Sequence, residues 1–402
     1  MRALGQNSHL SAFVLVLSGL YLMGCAQTAQ VDEKSELPSV QNLKQHEDDH
    51  EHHENEFLVL DPPPGYLTSI PSLGFSIVDV VRLDAMQSTL YHLKIDSGHH
   101  PFQVRHLHDK FHPNVIADVN HHFGLHARYR KLTDYFSRRA ANWGTPKSGC
   151  GQGIRMGTVD GGLDTKHPAF KGRNVTYRSF HRKGQKISSI AHGTAVASVL
   201  VGGPTWGNML PNAHLSATNV FQKNKKGRSR ASSKGIFLAV NWLMKQRLQV
   251  INFSIGGSAN RLVKRAIERA HKRGIILIAS AGNNGPLTRK KSYPAAFRHV
   301  IAIAASNRFD KTAKFSSAGD YVEFSAPGVK IYTAVPGGGR LMSGTSFASP
   351  IVAAFAAAAI KYKGIKNLDQ MRAYLRKNTA AHGRKKWDKF SGWGFLHVNP
   401  PC

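Results

Sequence analysis

Cysteine is nearly absent from this chain: Cys25, Cys150 and Cys402 are the only three in 402 residues. So few exclude a disulfide-dense scaffold, and with no C-x-x-C pair the common cysteine metal and dithiol redox sites are excluded as well. Carboxylates are scarce in one part only. Residues 1–149 carry 13 Lys and Arg against 16 Asp and Glu, whereas residues 150–402 carry 41 against 8. Eight scattered carboxylates form no oxygen-rich cluster for calcium, so no calcium dependence, no other metal and no cofactor are expected. The apolar run near the N-terminus, residues 10–23, is 14 residues long, where a membrane-spanning helix needs about 20. A hydrophobic content of 41% excludes a disordered or collagen-like chain, and the length allows two or three domains.

What is present is an extreme division of charge. The counts leave residues 1–149 at −3 and residues 150–402 at +33, a surface suited to anionic partners. Histidine divides the other way, with 14 of 22 before residue 150. The N-terminal run reads as a secretory signal, and its end, Leu22-Met23-Gly24-Cys25, resembles the lipobox of bacterial lipoproteins. That resemblance implies a signal peptide over 1–24, lipid on Cys25 and, with Ala26 following, sorting to the outer membrane. Residues 25–56 lack apolar periodicity and contain His46-Glu47-Asp48-Asp49-His50-Glu51-His52-His53-Glu54, an acidic His-rich tether.

Periodicity then predicts a strand over 57–60, a helix over 66–73, strands over 75–83 and 89–95, a helix over 101–111 and a strand over 115–119. This β-α-β-β-α-β order is that of a small α+β ferredoxin-like domain, residues 57–123. Residues 124–149 are basic and turn-rich, a linker and processing region. From there, strands (154–159, 250–254, 274–280, 300–305) alternate with helices (192–200, 234–245, 261–273, 345–363). The alternation predicts an α/β domain over 150–402 with a parallel sheet covered by helices on both faces. Sites in such folds form at the carboxyl ends of the strands.

Three polar residues stand at such element ends. Asp160 follows the strand 154–159, His192 opens a helix in Ala191-His192-Gly193-Thr194, and Ser346 opens another in Gly344-Thr345-Ser346-Phe347-Ala348-Ser349-Pro350. A serine hydroxyl is a poor nucleophile until a base takes its proton, and the base needs a carboxylate to fix its tautomer and orientation. An acid, an imidazole and a hydroxyl are therefore the parts of nucleophilic acyl transfer. Asp164, by contrast, reads as a turn residue.

Val159-Asp160-Gly161-Gly162, His192-Gly193-Thr194 and the Ser346 block resemble the three signature blocks of the subtilisin-like serine proteases, in that family's Asp, His, Ser order. A fourth block, Ala281-Gly282-Asn283-Asn284-Gly285, resembles the one whose asparagine donates to the oxyanion, a role the resemblance gives to Asn283. Asn252-Phe253-Ser254-Ile255-Gly256-Gly257 resembles the strand and glycine pair lining the primary specificity pocket. Ser229-Arg230-Ala231 matches the edge segment pairing with substrate on the acyl side. Gly161 departs from the family, which commonly has Ser or Thr there and so a hydroxyl for the carboxylate.

The resemblance implies a serine endopeptidase acting on proteins or peptides, with residues 57–123 as its inhibitory propeptide and self-cleavage within 121–149. An exported or envelope-anchored enzyme follows, released from the Cys25 lipid by that cut. The alternative is an inactive protein of this fold that binds anionic envelope polymers. The spread of basic residues gives no specific nucleic-acid motif. With Cys25 lipidated, Cys150 and Cys402 are left as a disulfide pair. Lys223, Lys225, Lys226 and Arg228 beside the edge segment favour acidic residues upstream of the cleaved bond. Nine histidines between His92 and His126 suggest that acid adds charge facing the +33 domain and loosens the propeptide by repulsion.

Overall fold

The computed structural model describes residues 52–71, 74–96, 98–125, 128–129, 149–207, 209–224, 227–288, 290–380 and 387–396. The expected signal peptide, Cys25, most of the tether and of the basic linker, and Cys402 lie outside them.

The first described elements are β1 (His52–Leu60), α1 (Pro64–Ser69), β2 (Phe75–Leu83), β3 (Ser88–Ile95), α2 (Pro101–Phe111) and β4 (Ile116–Leu125). β1 is central, antiparallel to β3 and β4, with β2 outside β3. Because successive side chains of a strand point to opposite faces, β1 serves two cores. Phe57 and Val59 pack with Tyr66, Phe75, Leu93 and Phe102. Leu58 and Leu60 join the core of the larger domain, with Val240, Leu243, Leu262 and Ile267. β4 continues to Leu125, past the strand end expected at 119 and the domain end expected at 123, because its last residues pair with strands outside the small domain.

The larger part contains β5 (Arg128–Tyr129), β6 (Arg155–Asp160), β7 (Val175–Ser179), α3 (Ala191–Val201), β8 (His214–Asn219), β9 (Phe221–Lys223), β10 (Ser229–Ser232) and α4 (Ser233–Met244). There follow β11 (Val250–Phe253), β12 (Ile255–Gly257), α5 (Arg261–Lys272), β13 (Ile276–Ser280), β14 (Val300–Ser306), β15 (Val322–Pro327), β16 (Ile331–Val335) and β17 (Gly338–Ser343). Last come α6 (Thr345–Lys363), α7 (Leu368–Lys377), β18 (Thr379–Ala380) and β19 (Phe395–Leu396). Nine strands form one sheet in the order β18-β19-β15-β14-β13-β11-β6-β8-β7, parallel from β19 to β7.

The α/β architecture agrees with the sequence expectation, and β11, β13 and β14 are buried along their whole length as two-sided cover requires. β7 and β8 escaped notice because VTYRS and HLSATN read as polar. Two of the buried polar groups of β8 are met by neighbouring strands: Thr218 Oγ1 donates to the Thr158 carbonyl at 2.7 Å and Asn219 Nδ2 to Ser179 Oγ at 2.7 Å. Among the described residues only α6 is long and apolar enough to cross a membrane, and it is buried against the sheet. Gly364, at φ 69°, ends it in the left-handed conformation. Cys150 is buried and disulfide-bonded, and its expected partner lies outside the described residues.

The small domain rests on α4 and α5. Leu58, Leu60, Leu83 and Leu90 are at most 2% exposed, and burying such a side chain contributes about 1.5–3 kcal/mol. Among the described residues five ion pairs surround them: Glu56 with Arg182 at 2.5 Å, Asp61 with Arg269 at 3.5 Å, Asp79 with Lys234 at 2.5 Å, Asp84 with Lys245 at 2.7 Å and Asp109 with Arg261 at 2.5 Å. Solvent-accessible pairs contribute about 0–1 kcal/mol each, so apolar burial sets the strength of the seam and the pairs set its polarity. The histidines expected to face a cationic surface share it with carboxylates of the small domain, which offset that charge. His92, for one, meets Glu56 at 3.1 Å as well as Lys234 at 3.2 Å.

His108 responds to acid in another way. It sits 5% exposed in the core of the small domain against Phe57, Tyr66 and His112, with Asp109 at 3.7 Å and neither ring nitrogen hydrogen-bonded. Burial, and then the neighbouring His112, hold its pKa down to about 4. The unfolded chain takes up this proton near pH 6.5 and the folded domain only near 4, so the neutral ring's contribution is complete above 6.5 and is lost as pH falls toward 4. Melting of the small domain in the full chain, followed from pH 7 to 4, should therefore show a loss of stability that His108→Leu reduces by about half or more. An unchanged pH dependence in the variant would refute this.

Candidate active site

Asp160 ends β6, between β11 and β8, at the carboxyl edge of the sheet. One carboxylate oxygen, Oδ1, accepts from His192 Nδ1 at 2.6 Å and from the Gly161 amide at 2.5 Å, while Oδ2 is buried with no hydrogen-bond partner. His192 lies in the first turn of α3. That turn packs directly on the loop after β6, and a Cβ at Gly193 would overlap the carbonyl groups of Gly161 and Gly162. The His192 ring stands 5.6 Å from that of Phe347, which follows Ser346. Its Nε2 is buried and makes no hydrogen bond.

Ser346 is the second residue of α6, at a helix N-terminus that favours developing negative charge. Its hydroxyl donates to the Ser254 carbonyl at 3.3 Å, and the Ser254 hydroxyl donates to the Ser346 carbonyl at 3.1 Å. Ser254 thus braces the serine turn. The Ser346 hydroxyl is turned to Ser254, and His192 Nε2 is left without a partner.

Asn283 follows β13. Its Oδ1 accepts from the Thr345 amide at 3.1 Å and the Thr345 hydroxyl at 3.0 Å, and Thr345 Oγ1 in turn accepts from the Gly282 amide at 3.2 Å. Two donors on Oδ1 fix the amide's orientation and leave Nδ2 a buried donor without a partner. Thr345 escaped the sequence reading although it lies within the Ser346 block. Tyr321 escaped it for lack of any motif: its hydroxyl donates to the Ala281 carbonyl at 2.7 Å, and burial pushes its pKa up to about 12, so it stays a donor. Asp164 is a turn residue, accepting from the Lys166 amide at 3.1 Å.

The end of β4 lies between β10 and β12. Phe123 and His122 pair with Ala231 and Ser232 of β10, and Leu125, Gly124 and Phe123 pair with Ile255, Gly256 and Gly257 of β12. Gly257 has to be glycine here, since a Cβ would stand 2.6 Å from the Phe123 ring. Ser229 and Arg230 register only with Lys223 and Gln222 of β9. Beyond Ser346, Arg128 and Tyr129 of β5 pair with Ser343 and Met342 of β17. The chain's own segments therefore occupy strand positions on both sides of Ser346.

A family model described as the subtilase family matches residues 151–394. Subtilisin-like protease 5 of Arthroderma otae is 36% identical over 226 residues, covering 54% of this chain and 55% of its own. A subtilisin-like protease of Coccidioides posadasii is 34% identical over 222 residues, 54% of each chain. This chain thus spans about half the length of the curated relatives it matches. Fervidolysin of Fervidobacterium pennivorans, described as a keratinolytic enzyme related to subtilisin, shares the fold with a TM-score of 0.68. At 20% identity that likeness covers 87% of this chain and 60% of fervidolysin.

The unpartnered Asp160 Oδ2 coincides with the glycine at 161. A Cβ there stands nearest to Ser189 O at 3.5 Å, Gly193 N at 3.7 Å and Leu125 Cδ1 at 3.8 Å, ordinary contacts. In Gly161→Ser a hydroxyl is added next to a carboxylate whose Oδ2 lacks a donor, and a hydrogen bond between them would draw charge from the carboxylate that partners His192. The acid limb of the kcat/KM profile on a peptide substrate should move down by about 0.5–1 pH unit, while Gly161→Ala leaves it in place. Identical limbs in the two variants would refute the assignment.

Proposed function

The chain belongs to the subtilase family, and from that footing we propose that it is a serine endopeptidase made as an inactive precursor, with its own small domain lodged in the cleft until the joining segment is cut. The reading rests above all on β4 and β5. They add strands to β12, β10 and β17 on either side of Ser346, as a peptide substrate does when it augments a sheet edge. Leu125 and Arg128 are the nearest described residues on each side, so the cleaved bond falls between them.

In this reading His192 Nε2 takes the hydroxyl proton as Ser346 Oγ bonds to the carbonyl carbon, and Asp160 stabilises the imidazolium. The oxyanion accepts from Asn283 Nδ2 and the Ser346 amide, and one such donor is worth about 3–4 kcal/mol of barrier. Collapse breaks the C–N bond, the imidazolium proton goes to the departing amine, and water hydrolyses the ester by the same route. The unpartnered Asn283 donor and the open His192 nitrogen support these roles. Ser254, Ile255, Gly256, Gly257 and Ala231 serve the substrate segment before the bond. With the signal and Cys25 as read from the sequence, the protein is exported and the cut frees the larger domain from the lipid.

Expression of the full chain should yield a product whose N-terminus is residue 126, 127 or 128 and whose Ser346 reacts with an organophosphonate probe. Ser346→Ala should remain full length. Normal maturation of that variant in the absence of other proteases refutes self-processing. An unreactive Ser346 in the matured protein would favour instead a fold retained only for binding anionic polymers.

A further inference from the structure

The five ion pairs across the seam have one polarity: each places the carboxylate on the small domain and the cation on the larger one. The larger domain has few acids of its own with which to balance this face. α5 carries Arg261, Lys264, Arg265, Arg269 and Lys272 against the single acid Glu268, which pairs with Arg265 at 3.4 Å. Like charges are crowded there, and burial followed by the nearby Arg265 holds the Arg269 guanidinium below its ordinary range. Asp61 and Ser88 of the small domain meet Arg269, and Asp84 meets Lys245 at the far end of α4.

The same face runs on into the cleft. Upstream of Leu125 in β4, Asn120 Oδ1 accepts from the Lys234 amide at 3.2 Å, and Asp118 Oδ2 accepts from the Arg261 amide at 2.8 Å. A chain lying along the cleft strands is thus carried over the N-termini of α4 and α5 and onto their basic side chains. Asp109 continues the track with a bidentate grip on Arg261, at 2.5 and 2.7 Å.

We propose that the basic face of α4 and α5 is a second binding surface of the protease domain, and that its ligand is an acidic stretch of a protein substrate upstream of the bond to be cut. The small domain covers this surface with its own carboxylates in the precursor and uncovers it on leaving. The inference rests on the endopeptidase reading above and adds a substrate class to it. Carboxylate side chains are the groups seated on this face, which favours an acidic polypeptide over a sulfated polymer or an anionic membrane.

The test uses the full chain matured by its own processing, with the product confirmed by N-terminal sequencing. Hydrolysis of a short neutral peptide, too short to reach the helices, is the reference. Two longer peptides share the residues at the cut and differ upstream, one rich in Asp and Glu, the other in Gly and Ser. At about 20 mM NaCl the acidic peptide should have a kcat/KM about tenfold higher, falling to about twofold or less at about 0.5 M as screening shortens the field. The double variant Lys245→Gln, Arg269→Gln should lower that preference by about threefold at low salt, each rate taken relative to the short peptide. If the variant does not fold, the wild-type salt series decides alone. Equal rates for the two long peptides at low salt, or a preference insensitive to salt, overturn the proposal and leave the endopeptidase reading standing. So does a preference abolished by heparin or phosphatidylserine vesicles at concentrations where poly-glutamate has no effect. No hydrolysis of the short peptide overturns both.

Discussion

The structure turns on one strand, β4, which has neighbours in both domains. β1 takes one of its edges, and its last residues fill the gap between β10 and β12. A sheet edge presents unpaired amides and carbonyls that need partners when they are covered. β10 and β12 have such edges, and β4 satisfies both at once. From this follow the length of β4, the seating of the small domain on α4 and α5, and the glycine at 257. With the backbone fixed in register, residues 118–125 pass from the helix N-termini toward the Ser346 turn in a single line.

Around that strand, apolar and polar forces do different work. The leucines buried beneath the small domain carry the free energy of the association, each contributing a few times what an exposed ion pair does. The ion pairs contribute direction. Because the larger domain has 8 carboxylates against 41 Lys and Arg, its surface repels itself, and acidic surface laid on it relieves that repulsion. The charge division visible in the composition is therefore resolved at this seam.

The candidate site is built by close approach more than by packing volume. Gly193 lets the His192 turn touch the loop after Asp160, and Thr345, the residue before Ser346, holds Asn283. Among the described residues, polar atoms without partners in this buried region include Asp160 Oδ2, His192 Nε2 and Asn283 Nδ2. Unmet buried polar groups cost about 1–3 kcal/mol each, and a fold retains such a cluster where it has a use.

Local pattern alone determined much of this. Alternating apolar runs fixed the α/β class and most elements, because periodicity reports which face of a strand or helix is buried. Asp160, His192 and Ser346 were legible as candidates because each stands at an element end, and Asn283 and Ser254 to Gly257 only because their short blocks resemble those of the family. β7 and β8 were illegible, since their polar residues make no apolar run and the partners of Thr218 and Asn219, Thr158 and Ser179, lie far along the chain. The seating of β4 between β10 and β12, the clamp of Thr345 on Asn283, the orphaned oxygen of Asp160 and the pairing of each acid with its base were decided by the tertiary structure alone. The three pairings join residues distant in sequence and the orphaned oxygen is left over by the same packing, and neither leaves a mark on local periodicity or composition.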